Sequence, residues 1–128
     1  MEISIGMKGE VSTLVEREDT ACEVGSGSLL VYATPCMVAL MEGAACEAIN
    51  GALPEAKTSV GTELSITHLS ATPVGLEVRA EALVTAVEGS TITFQVTAFD
   101  ESGKIGEGIH KRVVITTQRF LDKTYAKL

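Results

Sequence analysis

The sequence has no tryptophan and only three phenylalanines and two tyrosines. A core of stacked aromatics is excluded, so Val, Ile, Leu, Ala and Met must fill the interior. No apolar run reaches about 18 residues, and no transmembrane helix is expected. The first ten residues, Met-Glu-Ile-Ser-Ile-Gly-Met-Lys-Gly-Glu, lack the basic head and apolar middle of an export signal. The cysteines number three, Cys22, Cys36 and Cys46, an odd count that suits no disulfide framework. These absences set the expectation of a cytoplasmic protein that does not bind membranes.

Positive charge is scarce over most of the chain. Residues 1–100 carry four basic side chains (Lys8, Arg17, Lys57, Arg79) against 14 acidic ones, net −10. Residues 101–128 carry six (Lys104, Lys111, Arg112, Arg119, Lys123, Lys127) against three, net +3. Nucleic acid is not an expected partner, because that binding rests on neutralising phosphates. The basic tail suits a small phosphorylated ligand; the plainer account is a solvated last strand and terminus.

The 128 residues suffice for one domain with a proper core, spanning 1–128. Residues 8–18 read as a strand, and 19–30 as an acidic, Gly/Ser-rich loop or lid. Thr34 is placed as a helix N-cap with Pro35 at the first helical position. Met37, Leu40, Met41, Ala44 and Ala48 then recur at helical spacing until Gly51 and Pro54 end the helix. Its many Ala and Gly residues suit close packing against a sheet. Strands are expected at 61–69, 76–87, 91–99 and 104–117. In the third of these, Ile92, Phe94, Val96 and Ala98 point inward and the intervening Thr and Gln residues outward. Gly106 and Gly108 mark a bulge or close backbone contact in the last. One long helix wrapped by an antiparallel sheet of hairpin-linked strands is the simplest α+β solution.

An acidic residue, Glu42, lies on this apolar helix, and one of the two histidines, His68, lies in a strand the helix can pack against. A carboxylate on such a helix needs a partner or a use. In a dry setting it is a competent base, able to activate water or to attack directly. His68 can polarise a carbonyl or protonate a leaving group, and Thr34 can orient either group. The helix start near Pro35-Cys36-Met37 offers N–H groups to an oxyanion. Each residue also has a plain structural account: Glu42 as a solvated helix residue, His68 as a hydrogen-bonded strand residue, Thr34 as a cap. His110 competes with His68 but lies among basic residues. Cys36, in the first helical turn, is a rival nucleophile paired with His68. Eight residues separate Thr34 from Glu42, about 12 Å along a helix. Either substrate spans them or a second subunit completes the site.

Several ordered motifs, covering nearly the whole chain, carry a family resemblance. They are Tyr32-Ala33-Thr34-Pro35-Cys36-Met37-Val38-Ala39-Leu40-Met41-Glu42, Gly61-Thr62 through Thr67-His68 to Ala71-Thr72-Pro73, Val87-Glu88-Gly89, and Gly106-Glu107-Gly108-Ile109-His110-Lys111-Arg112. The chain resembles hot-dog-fold acyl-CoA thioesterases, specifically the fluoroacetyl-CoA thioesterase family. The resemblance implies a hot-dog fold, a homodimer with a tetramer as an option, and acyl-CoA hydrolysis at the dimer interface. It implies Thr34, Glu42 and His68 as the catalytic trio, Gly61 and Arg112 near the substrate, and no metal or separate cofactor. Selectivity in that family is associated with a bulky aromatic lid before the threonine. Here Gly25-Ser26-Gly27-Ser28-Leu29-Leu30 stands in its place, with Tyr32 the sole nearby aromatic. An open mouth and a broad short- or medium-chain acyl range follow. The alternative is a hot-dog domain that binds acyl-CoA without turning it over, as a sensor or carrier.

Overall fold

Side-chain alternation decides which way the sheet faces. In the computed structural model, which describes residues 2–128, Ile92, Phe94, Val96 and Ala98 of one strand are fully buried. Val78, Ala80, Ala82 and Val84 of its neighbour lie on the same inner face. The strands are β1 (Lys8–Leu14), β2 (Lys57–His68), β3 (Glu77–Glu88), β4 (Thr91–Asp100) and β5 (Gly103–Thr116). All pairings are antiparallel, in the order β1-β3-β4-β5-β2. The helices are α1 (Ala21–Val24), α2 (Thr34–Ile49) and α3 (Thr117–Tyr125). Met37, Met41, Ala44, Ala45 and Ile49 of α2 fill the core against the sheet.

Small residues set how close α2 comes. A side chain at Gly9 would fall on the backbone of Ala44 and Ala48, so β1 and α2 approach at van der Waals distance. At Gly106 a Cβ would stand 2.6 Å from the Met37 sulfur. The pairing of β4 with β5 also shifts register between Ala98 and Phe99, so the expected glycine-marked bulge and close contact are both present.

Four expectations need correction. The strands after α2 are not all hairpin-linked: β2 pairs with β5, and residues 69–76 carry the chain across to β3. The segment Ala71–Gly75 is thus part of a crossover, a distinction that local turn chemistry does not encode. The first strand stops at Leu14, and the second begins at Lys57. A 3₁₀ turn at Arg17–Asp19 leads into the segment 19–30, which contains α1 and is pinned by Ala21 N–H to Val31 O (2.9 Å) and Cys22 N–H to Leu29 O (3.1 Å). The last strand gives way at Thr117 to α3, where Gln118 bonds Asp122 one turn on.

Candidate active site

The start of α2 and the end of β2 meet at two side chains. Ala33, in extended conformation, holds the cap position, and Thr34 is the first helical residue. Its hydroxyl makes no cap bond, contrary to expectation; it lies 2.7 Å from His68 Nδ1. The two residues border a cleft of about 310 Å³ together with Ser26, Tyr32 and Ser70. Burial lowers the pKa of His68, and the nearby Ser70 backbone opposes the shift. The ring is therefore neutral at pH 7, with one N–H to share. Its Nε2 is buried and has no hydrogen-bond partner. When Thr34 donates to Nδ1, Nε2–H is a free donor; when Nδ1 donates to Thr34, Nε2 is a free base. Either tautomer leaves Nε2 uncommitted, and a buried polar atom in that state is costly unless it is used.

The expected oxyanion cradle at the helix start does not form. Pro35 has no N–H, and the N–H groups of Cys36 and Met37 both donate to Ala33 O at 3.0 Å. Cys36 has no hydrogen bond to His68 among the described residues, and its pKa is raised by burial and by the Asp19 charge. Both effects oppose a thiolate nucleophile.

Glu42 belongs to a second cluster. Its Oε2 accepts from Arg112 Nη1 at 3.2 Å and lies 3.8 Å from His110 Nε2. Buried Arg112 also donates from Nε to Ser59 Oγ (2.8 Å) and from Nη2 to Ser59 O (3.1 Å). His110 Nδ1 lies 2.9 Å from Glu63 O. A carbonyl only accepts, so Nδ1 carries the proton, and Nε2 accepts from Arg112 Nη1 at 3.1 Å. Burial keeps the His110 pKa low, Arg112 adds to this, and the Glu63 bond and Glu42 charge oppose it. Gly61 faces Arg112 across the β2–β5 ladder. A Cβ there would lie 2.5 Å from Glu42 Oε2 and 3.1 Å from His110 Cε1. Glycine is what lets the carboxylate sit over this strand pair.

The five residues singled out from the sequence thus form two groups: Thr34 with His68, and Glu42 with Gly61 and Arg112. Among the described residues, no hydrogen bond or ion pair joins the groups. The dry setting expected for Glu42 is not found, since 40% of its side chain stays accessible. Sequence reasoning undervalued His110 and omitted Ser59. Alternation offered a signal for both: His110, Arg112 and Val114 share one face of β5, and Ser59 and Gly61 share one face of β2. Among the described residues, no group of three or more His, Cys, Asp or Glu side chains is arranged to hold a metal ion.

A long helix laid across a five-stranded antiparallel sheet defines the hot-dog class. A hot-dog-like protein from Thermanaerovibrio acidaminovorans shares the fold, with a TM-score of 0.87, 23% identity and coverage of 97% of this chain and 92% of that one. Residues 15–118 match the model of the fluoroacetyl-CoA-specific thioesterase family, FlK. The chain belongs to that family of thioester hydrolases. It is 40% identical over 97 residues to the fluoroacetyl-CoA thioesterase of Streptantibioticus cattleyicolor, covering 76% of this chain and 70% of that one. A variant of the fluoroacetyl-CoA thioesterase, solved in complex with acetyl-CoA, superposes with a TM-score of 0.92 at 32% identity, covering 98% of each chain. No helix among the described residues is long and apolar enough to cross a membrane.

Proposed function

We propose that the chain hydrolyses a short- or medium-chain acyl-CoA to the free acid and CoA. The observation that carries this reading is the Thr34–His68 pair, whose buried Nε2 has no partner. A thioester carbonyl oxygen is the acceptor that an Nε2–H would take. Polarised there, the carbonyl carbon is open to attack, and CoA departs as a thiolate that takes up the proton Glu42 removes from water. Thr34 fixes the ring's tilt through Nδ1. Glu42 supplies the second half, as base toward water or as nucleophile forming an anhydride that water then opens. Arg112 holds its carboxylate in place, and His110 and Ser59 hold Arg112.

Since the two halves do not touch within one chain, the thioester bridges them or lies between two copies of the chain. We favour a homodimer. The free edge of β2 supports it: the strand is 12 residues long and pairs on one side only, with β5. Such an edge attracts another strand. Leu29 and Leu30 are exposed in the segment where the family places an aromatic lid, while Tyr32 is buried. A small apolar lip of this kind fits a broader acyl range than fluoroacetyl alone.

The deciding experiment is CoA release, followed by chromatography, from a panel that includes fluoroacetyl-CoA, acetyl-CoA and medium-chain acyl-CoA. Chromatography avoids interference from the protein's own thiols. Turnover in the wild type that collapses in Glu42→Ala and His68→Ala supports the reading. Tight binding without release by any member would replace hydrolase with sensor or carrier. Activity on fluoroacetyl-CoA alone would overturn the broad range.

A further inference from the structure

The sequence has ten basic side chains. Arg17, Arg79, Lys104, Lys111 and Arg112 each meet a carboxylate. Among the described residues the other five, Lys8, Lys57, Arg119, Lys123 and Lys127, form no such pair. Three of these five line a single cleft of about 350 Å³, formed by the start of β2, the end of β5, α3 and the β3–β4 turn. Lys57, Arg119 and Lys123 surround it, with Ser90 and Val114 in its wall and Phe120 40% exposed beside them. Among the described residues, no acidic one lines it. Lys57, Arg119 and Lys123 converge from two separate elements, and among the described residues none of them forms an ion pair that would offset their mutual repulsion.

The cleft continues the face that carries Glu42's partners. On β2, Lys57, Ser59 and Gly61 point the same way; on β5, Arg112, Val114 and Thr116 do. Gly61 pairs with Arg112, and Lys57 with Thr116. Four strand residues put the cations about 13 Å from the Glu42 cluster. That is out of reach of the reacting thioester and within reach of the far end of a CoA molecule. A CoA thioester carries a diphosphate and a 3′-phosphate on its adenosine. The rest of the surface repels such a polyanion, with net −10 over residues 1–100.

We propose that this cleft holds the phosphoadenosine end of CoA, with Lys57, Arg119 and Lys123 on its phosphates and Phe120 beneath its adenine. The proposal rests on the acyl-CoA thioesterase reading above and adds the site of nucleotide recognition. It gives the unpaired basic residues of the tail a ligand, and it separates the binding of the carrier from the chemistry on the acyl group.

The test uses the full chain and the triple variant Lys57→Gln, Arg119→Gln, Lys123→Gln, whose thermal melting is checked first. Two substrates are compared: the best acyl-CoA of the panel and the matching acylpantetheine, which lacks the nucleotide. The KM for the acyl-CoA is expected to rise about tenfold or more in the variant, with kcat within about twofold. Kinetics on the acylpantetheine stay unchanged. Adenosine 3′,5′-bisphosphate competes with acyl-CoA in the wild type and loses that effect in the variant. An unchanged KM for acyl-CoA, or an equal loss on both thioesters, overturns the proposal. Should the wild type hydrolyse neither thioester, the catalytic reading fails on its own. The cleft is then judged by calorimetric titration with CoA, whose Kd must weaken about tenfold in the variant; an equal Kd rejects it.

Discussion

The two halves of the proposed site are built on opposite terms. Around Arg112, every polar group has a partner: Ser59 takes two bonds, Glu42 one, and His110 one. Around His68 there is one bond, to Thr34, and a buried nitrogen with none. A saturated network holds its members still, and its worth lies in geometry and stability. An unsatisfied one is a standing cost in the free protein that a ligand can remove. The contrast teaches where binding energy is to be gained, at His68, and where position is merely kept, at Arg112.

The sharpest break is at the open half. His68→Ala is expected to lower kcat/KM about 10²–10⁴-fold, the range of a lost acid–base group, with little change in unfolding free energy. Thr34→Ala should follow with a smaller loss, while Thr34→Ser, which keeps the hydroxyl, retains most activity; steady-state CoA release reads both. The closed half should respond in reverse. Arg112→Ala leaves Ser59 and His110 without their donor and is expected to cost about 2–3 kcal/mol by urea unfolding. Gly61→Ala tests the seat of the carboxylate. Its methyl displaces the Glu42 carboxylate, which is accessible and ends a flexible side chain, so activity falls about tenfold while stability moves by less than about 1 kcal/mol.

Acid probes both halves at once. His68 and His110 have folded-state pKa values lowered mainly by burial. Below the ordinary histidine value of about 6.5, the unfolded chain takes up protons that the folded chain refuses. The stability contribution is therefore fully present above that pH and is lost as pH falls through it toward the folded values. Urea midpoints at pH 5 and pH 8 should differ in that direction, and His110→Asn should narrow the gap. The smallest effect is assigned to Cys36→Ser, with activity within about twofold of wild type; a large loss would restore the thiol as a participant.

Much of this was legible in the residues. The alternation of Ile92, Phe94, Val96 and Ala98 fixed the buried face of β4, and the spacing of Met37, Met41 and Ala44 fixed that of α2. Thr34, Glu42 and His68 came from chemistry and the order of motifs. Strand order was not legible, because Ala71-Thr72-Pro73-Val74-Gly75 has the composition of a tight turn whether or not the next strand pairs with the last. Nor was the grouping of the trio. Helix rise separates Thr34 from Glu42, yet only the register of β2 against β5 brings His110 and Arg112 to the carboxylate. The use of Thr34's hydroxyl was equally hidden, since a cap bond and a bond to a distant histidine demand the same residue.

The crossover at residues 69–76 also bears on how the chain comes to be folded. Strand β2 carries Gly61 and His68, but its partner β5 is made only after the whole β3–β4 hairpin. Until then β2 has no strand to pair with, and the hairpin, built from near neighbours, has the head start. During synthesis the core face closes on α2 first, and both halves of the site are finished together, by the last strand to emerge.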